Sequence, residues 1–296
     1  MWILFTLLSA ASWALVNVLD SSLTKRYKKP TVIFMGVQAL FSLSILILLS
    51  TFLPIATTWH LPLLAVGICS YFGDFFLFYV LKRIEVSVVN VAWALQSIFI
   101  SAFAFMVFHE HWTMLQTAGV VCILVSALLI AFWHTHISLG RTLGLLTVLG
   151  LITAPNYLVQ KAALLDSQTI VAVFFWSIIG RECMSFAMPW ILPAYRSPML
   201  VTLRTERRVF FLFNAAVIAV WFLAILFFVY AYQAGPASLV SMLANTQPFF
   251  VMFFAWLFHR LLPAFTAHEG FGAKSIGIKA LGFAITFFGL ALLALS

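Results

Sequence analysis

The chain has 296 residues, of which 64% are hydrophobic, 17% aromatic and only 8% charged. Soluble domains carry roughly 25% charged residues, so a water-soluble enzyme or binding domain is excluded and an integral membrane protein is indicated. The net charge of +8 would suit nucleic acid, but the basic residues sit in short connections and form no long stripe, so they read as topology signals and no nucleic-acid partner is implied.

A helical span needs about 20 apolar residues, whereas a barrel strand reads as a short alternating segment. The long unbroken runs here predict an all-α membrane protein of ten transmembrane helices. The first five run roughly from Trp2 to Leu23, Thr31 to Leu53, Leu61 to Leu81, Val86 to Phe108 and Thr113 to Trp133. The first has no positive residue before it and is long enough to span, so it reads as a helix of the mature protein, not a cleaved signal. The second five run roughly from Thr142 to Leu164, Thr169 to Leu192, Val209 to Tyr230, Pro236 to Phe258 and Gly277 to Leu295. Connections are short and leave no soluble domain. Pro155, followed by Asn156 and Tyr157, is expected to interrupt the sixth span, either as a simple kink or as part of a binding site. Between Phe258 and Ile276, the residues Pro263, His268, Glu269 and Gly270 predict a loop or an interfacial helix. Cys69, Cys122 and Cys183 lie in separate apolar runs without CxxC spacing, so neither a disulfide framework nor a zinc site is read from them.

The two halves are related. Sliding the stretch from Tyr79 forward by 151 residues brings Tyr79 onto Tyr230, Ser87 onto Ser238, Val89 onto Val240 and Gln96 onto Gln247. Further along the offset becomes 163, which brings Gly119 onto Gly282 and Leu129 onto Leu292, so twelve residues are inserted between Phe258 and Lys279. The paired glutamines weigh most, because an amide inside an apolar run is costly in lipid. An ancient duplication is indicated, with repeats at 1–138 and 139–296. Five spans per repeat is odd, so the second half enters the membrane from the opposite side. Two inverted five-helix repeats place a substrate site near the bilayer midplane where the halves meet.

Loop charge gives an orientation. Every Lys and Arg except Lys161 and Arg181 lies in or beside the connections after spans one, three, five, seven and nine. The positive-inside rule then puts both termini outside the cytoplasm.

Ala11, Ser12 and Trp13 in the first span, the segments Tyr79 to Ser87 and Tyr230 to Ser238, Glu110 closing the fourth span, and Gly119 with Gly282 form an ordered set. In these features the whole chain resembles the drug/metabolite transporter superfamily, in its EamA-like branch of ten-helix carriers. Gln247 and Pro248 look like that family's proline-bearing position in the ninth span, where the first half carries Ser97 instead. Members commonly carry Glu after the ninth span as well; here the insertion displaces the nearest one, Glu269. Relatives are usually drawn with cytoplasmic termini, whereas the charge count of this chain points the other way. The resemblance implies a secondary carrier of small metabolites or drugs, in a plasma membrane of the bacterial inner-membrane type. No GxxxxGK[ST] phosphate loop is present, so primary pumping by this chain is not expected, and no cofactor is implied.

Ionisable groups inside spans point to function, because a buried Asp, Lys or Arg costs about 2.5–3.5 kcal/mol at a helix centre. Asp74 lies in the third span, and Arg181 and Glu182 lie near the middle of the seventh. Sequence neighbours diverge by about 100° on a helix, so Arg181 and Glu182 are expected to need other partners. Arg181 would take a substrate anion while Asp74 or Glu182 carries a proton; or an inter-helix pair such as Asp74 with Arg181 only holds the bundle. Asp20 is expected to reach the basic loop that starts at Lys25, and Lys161 to snorkel to the interface. His109, Glu110 and His111 invite a metal reading, but residues two apart do not share a helix face, so no metal site is assigned. Gln96, Gln247, Asn245 and Asn17 supply amides that line a cavity or join helices. Trp13, Trp93, Trp176 and Trp221 are deep enough to wall a site.

The function expected is therefore transport of a small molecule, coupled to protons or by exchange, by rocking one repeat against the other. A flippase of lipid or lipid-linked sugar shares the architecture and would need a lateral opening. A membrane-embedded enzyme would show a compact catalytic set, such as HExxH or a Ser–His pair at matching depth. No such set is read here: His109, His111, His134 and His136 cluster at span ends.

Overall fold

A computed structural model describes residues 1–81, 86–133, 139–261 and 273–295. In these residues the chain is helical, with no strand. The helices are α1 (Trp2–Tyr27), α2 (Thr31–Phe52), α3 (His60–Leu81), α4 (Val86–Val107), α5 (Met114–Trp133) and α6 (Leu139–Leu165). They continue as α7 (Ile170–Ile191), α8 (Pro193–Thr205), α9 (Arg208–Ala234), α10 (Ala237–Leu243), α11 (Gln247–Leu261) and α12 (Ala273–Ala294). All ten expected spans fall on helix. Among the described residues, seven stretches are long and apolar enough to cross a membrane: α1, α2, His60–Phe78, Thr147–Leu165, α7, α9 and Ala237–Arg260. Leu95–Val107, Met114–Ser126 and Leu281–Ala294 are shorter apolar helices. The outer surface exposes side chains such as Ile47, Phe52, Leu212 and Phe287, a covering that suits hydrocarbon and not water.

Local sequence explains most helix ends. Lys28 adopts φ 47° and ends α1 with its N–H on the Thr24 carbonyl, and Pro30 restarts the chain as α2. Thr113 and Gln116 cap α5 reciprocally, side chain to backbone, at 3.2 and 2.9 Å, as a capping box requires. Thr169 caps α7 by accepting the Ala172 N–H at 3.2 Å.

Four features depart from the sequence expectation. α1 runs on to Tyr27, so Lys25 and Arg26 form its last turn. There they face its negative dipole end. Between the seventh and eighth spans lies the additional helix α8, which is opened by Pro193 at its first turn. α6 passes through Pro155 without a break, gripped by α3 and α4. The interruption falls instead in the ninth span, where Ala244–Thr246 forms a 3-10 turn. Pro248 lacks the N–H that would bond back to Ala244, and the Gln247 N–H takes that carbonyl instead. Glu269 and the other residues of the expected irregular connection at 262–272 lie outside the described residues.

Packing joins the two halves throughout. α1 packs on α9 and α3 on α6; α4 packs on α6 and α1 on α11; α3 packs on α7 and α2 on α9. Three further pairs, α2 with α7, α5 with α12 and α4 with α10, also cross between the halves. Among the described residues α3 and α7 approach closely. A Cβ on Gly180 would meet the Leu64 carbonyl at 2.3 Å, and one on Gly67 the Ser177 carbonyl at 2.7 Å. Only glycine permits backbones this near. Asp74 follows Gly67 by seven residues, two helical turns, and therefore emerges on the same face, toward Arg181.

Candidate transport site

Arg181 is the centre of the site. Its guanidinium contacts Asp74 on α3 through Nε and Glu182 through Nη1, and its Cζ lies 4.3 Å from the centre of the Trp221 ring on α9. Arg181 is 7% exposed and Glu182 wholly buried. The expectation that Arg181 and Glu182 cannot pair is corrected: the long arginine stem folds back along the helix to reach its neighbour, a freedom that the divergence of Cβ vectors does not remove. Two carboxylates and a π face thus saturate this cation in a setting where charge-assisted bonds are strong. No substrate anion is needed to satisfy it.

Arg181 borders two of three neighbouring chambers. The first is lined by Trp13, Ser70, Asp74, Thr153, Asn156, Tyr157, Gln160, Arg181, Trp221 and Phe228 among others. A second shares Trp13, Tyr157 and Phe228 with it and adds Gln96, Ser97, Ser241 and Gln247. The third shares Trp13, Asp74, Arg181 and Trp221 with the first and adds Asn17, Asp20 and Gln38. Helices of both halves contribute to each.

The amides are held to different degrees. Gln96 donates to Thr153 Oγ1 at 2.7 Å, and Thr153 in turn donates to the Leu149 carbonyl at 2.8 Å. Ser97 donates to the Ser241 carbonyl at 2.7 Å, tying α4 to α10 beside the 3-10 turn. Asn245 sits in that turn, donates to the Met242 carbonyl at 3.1 Å and leaves its Oδ1 unpartnered. Buried polar atoms normally find partners. Asn17 Nδ2, Gln247 Nε2, Asn156 Oδ1 and Gln160 Oε1 have none within the protein, and all four residues line chambers. The side chain of Trp93 lies outside the described residues. Trp176 serves a different purpose, its indole N–H bonding to the Ile55 carbonyl at 2.7 Å.

Two charged residues are placed otherwise than expected. Asp20 does not turn to the basic loop: it is 6% exposed and accepts from Gln38 Nε2 at 2.9 Å inside the third chamber. The extension of α1 to Tyr27 accounts for this, since it leaves Asp20 two turns from the helix end. Lys161 does not snorkel. Its Nζ donates to the carbonyls of Tyr232 and Gly235 at 2.8 and 2.9 Å, closing the C-terminal end of α9.

Sequence reading also missed the role of Glu110, which accepts the backbone N–H groups of Ala237 and Ser238 at 2.7 and 2.9 Å, together with the Ser238 hydroxyl. Trp112 adds a bond to Ser238 Oγ at 2.9 Å. At the same end of the bundle Trp59 bonds to Asp166 and Thr57 to Gln168, each at 2.7 Å. Gln160 was missed as well, although it follows Asn156 by one helical turn and the pair of amides on one face was a readable signal.

A crystal structure of a protein superposes on this chain with a TM-score of 0.67 at 14% identity, covering 99% of this chain and 96% of the other, a likeness of fold alone. No curated protein matches in sequence. Residues 1–132 match the profile of the EamA-like transporter family. In that first half the chain is similar to the EamA-like transporters, a family within the drug/metabolite transporter superfamily, and its apolar helices mark it as an integral membrane protein.

Proposed function

We propose that the protein is a secondary carrier of a small metabolite or drug-like solute, working by alternating access with proton coupling or exchange. The observation that carries this reading is the group of neighbouring chambers lined from both halves, two of which border the ion cluster of Asp74, Arg181 and Glu182. Asp74, Arg181, Glu182, Gln96, Gln247, Asn245, Asn17, Asn156 and Tyr157 form the path, with the side chain of Trp93 a further expected contributor.

The carrier has ten spans in two inverted repeats, 1–138 and 139–296. Support comes from the pairing of helices. If α6, α7, α9, the α10–α11 pair and α12 are the counterparts of α1 to α5, then exchanging the halves turns each main packing pair into another of the set or into itself. α1 on α9 becomes α6 on α3, α4 on α6 becomes α11 on α1, and α2 on α7 returns to itself. Such a pattern suits two bodies that rock about a common axis. The protein lies in the bacterial inner (plasma) membrane with both termini outside the cytoplasm. Uptake and counterflow in proteoliposomes with a metabolite library, with and without a pH gradient, test the function. Solute exchange that depends on the protein is expected, and its absence for every solute class rejects the carrier.

A second reading, a flippase for lipid or lipid-linked sugar, draws on one observation. A groove lined mainly by apolar side chains lies between α1, α11 and α12, with Phe249, Phe253, Phe283 and Phe287 on its walls beside Thr246 and Thr286. It fits an acyl chain, but the polar groups a headgroup would need lie in the chambers on the other side of α11. Dithionite quenching of fluorescent lipid in the same vesicles separates the two readings.

A further inference from the structure

The charge of the substrate is legible in the balance of the cluster. Three carboxylates, Asp20 and Glu182 buried and Asp74 half-buried, surround one guanidinium, and Arg181 is the one Lys or Arg lining the three chambers among the described residues. Asp74 and Glu182 both contact Arg181, whereas Asp20 is bonded to the neutral amide of Gln38 and lies within electrostatic reach of Arg181 and Asp74. Low-dielectric surroundings disfavour such a surplus of negative charge, which a positive counterpart or a proton on one carboxyl relieves. An anionic substrate would add to the surplus.

A second feature points the same way. Gln160 is 2% exposed, lines the first chamber and keeps its Oε1 without a partner. Asn156, one turn earlier on α6, lines the same chamber and likewise leaves Oδ1 without a partner. Two empty acceptors call for N–H donors. Aromatic rings line the same chamber: Trp13 and Trp221 meet edge to face at 6.4 Å, and Tyr157 meets Phe228 at 5.1 Å. Unpartnered acceptors and aromatic rings in the first chamber, with surplus carboxylate in the third, which shares Trp13, Asp74, Arg181 and Trp221 with it, are the ingredients of ammonium recognition.

We propose that the substrate is a small organic cation, a protonated amine with an apolar body, and that Asp20 is the carboxylate whose charge it balances. This rests on the carrier reading and deepens it. Trp13, Asn17 and Asp20 share one face of α1 at spacings of four and three residues, so the helix that supplies part of the aromatic wall also supplies the charge.

The test uses the purified full chain in detergent, with tryptophan fluorescence reporting occupancy beside Trp13 and Trp221. Phenethylammonium and 3-phenylpropionate serve as probes of similar size and opposite charge. Saturable binding of the cation and none of the anion is expected, with affinity reduced about 30-fold or more in Asp20→Asn and largely kept in Asp20→Glu. Size-exclusion profiles matched to wild type show that the variants fold; should Asp20→Asn fail to fold, Gln160→Leu replaces it, with an expected loss of cation affinity. Preference for the anion, no cation binding, or equal cation binding by wild type and the variant overturns the proposal. Exchange of solutes in vesicles by a protein that prefers phenylpropionate would retain the carrier reading and reject this one. Binding through Asp20 with no exchange of any solute would do the reverse.

Discussion

Glu110 and Lys161 both serve the Gly235–Pro236 joint, one on the helix that follows it and the other on the helix that precedes it. The carboxylate receives the first amides of α10, and the ammonium donates to the last carbonyls of α9. Each charge matches the sign that the helix end requires. The joint itself offers no side-chain cap, because Pro236 stands at the N-cap position of α10. Two residues more than 70 positions away in sequence fill that vacancy.

The first prediction concerns this joint. Glu110→Ala removes three bonds to a charged acceptor, each worth about 1.5–3 kcal/mol when buried; partial exposure at Glu110 brings the expected loss to about 2–3 kcal/mol. Glu110→Gln should fall between, since one amide oxygen still accepts. Lys161→Met should destabilise by a comparable amount through two unpaired carbonyls. Thermal melting of detergent-purified protein reads all three. A melting temperature for Glu110→Ala equal to that of wild type rejects the cap.

The contact between α3 and α7 supplies the second. Gly180→Ala puts a Cβ against the Leu64 carbonyl, a backbone atom that cannot yield. α3 must then move away, taking Asp74 from Arg181. A loss of about 1–3 kcal/mol is expected from overpacking, with solute exchange reduced more than stability. Gly144→Ala is the control, because a Cβ there meets nothing within 4 Å. If the Gly180 variant exchanges solute as the control does, the close approach has no part in transport.

Much of this architecture is written in local pattern. Apolar runs of about 20 residues specify spans, and Asp74, Arg181 and Glu182 stand out because charge is costly there. What escaped depends on distance in the chain or on length. Glu110 acts on backbone amides 127 residues away, and amides carry no sequence signature. Asp20 reads as interfacial only if α1 stops at Leu23; it runs to Tyr27, and the residue moves inward with it. Pro155 and Pro248 look equally disruptive in sequence. The first stays inside a helix held by two neighbours, and the second follows a 3-10 turn, a difference set by packing. α8 is 13 residues long, too short for a span and too basic for a core, so hydropathy passes over it.

Orientation is the third prediction. The concentration of Lys and Arg beside alternate connections places both termini away from the cytoplasm. A fluorescent protein fused at Ser296 that matures only in the cytoplasm should stay dark, while an exported phosphatase fused there should be active. The reverse pattern overturns this topology.

A fourth concerns the paired glutamines, Gln96 at 5% and Gln247 at 6% exposure on the wall of one chamber. Gln96→Cys and Gln247→Cys should react with small water-soluble thiol reagents at similar rates, and transported solute should slow both. Two inert cysteines would make these residues packing elements.

The last prediction is that Asp74 or Glu182 exchanges a proton during transport. Both contact Arg181, but unequally: Asp74 reaches it across helices and lines two chambers, while Glu182 is sealed on the same helix. If one half rocks against the other as proposed, α3 separates from α7 and the Asp74 contact loosens first, whereas the Glu182 contact travels with its own helix. Asp74→Asn should therefore abolish acceleration by a pH gradient while leaving solute exchange largely intact, because exchange needs no net proton movement. Glu182→Gln should do the same only if the α7 pair opens as well. Breaking a buried pair costs about 3–5 kcal/mol through the charge left behind, so loss of folded protein in either variant is a distinct outcome. In that case Arg181→Met in the same background should restore folding, which assigns the cluster a structural role. Full pH-driven transport in both variants removes the proton from the cluster altogether.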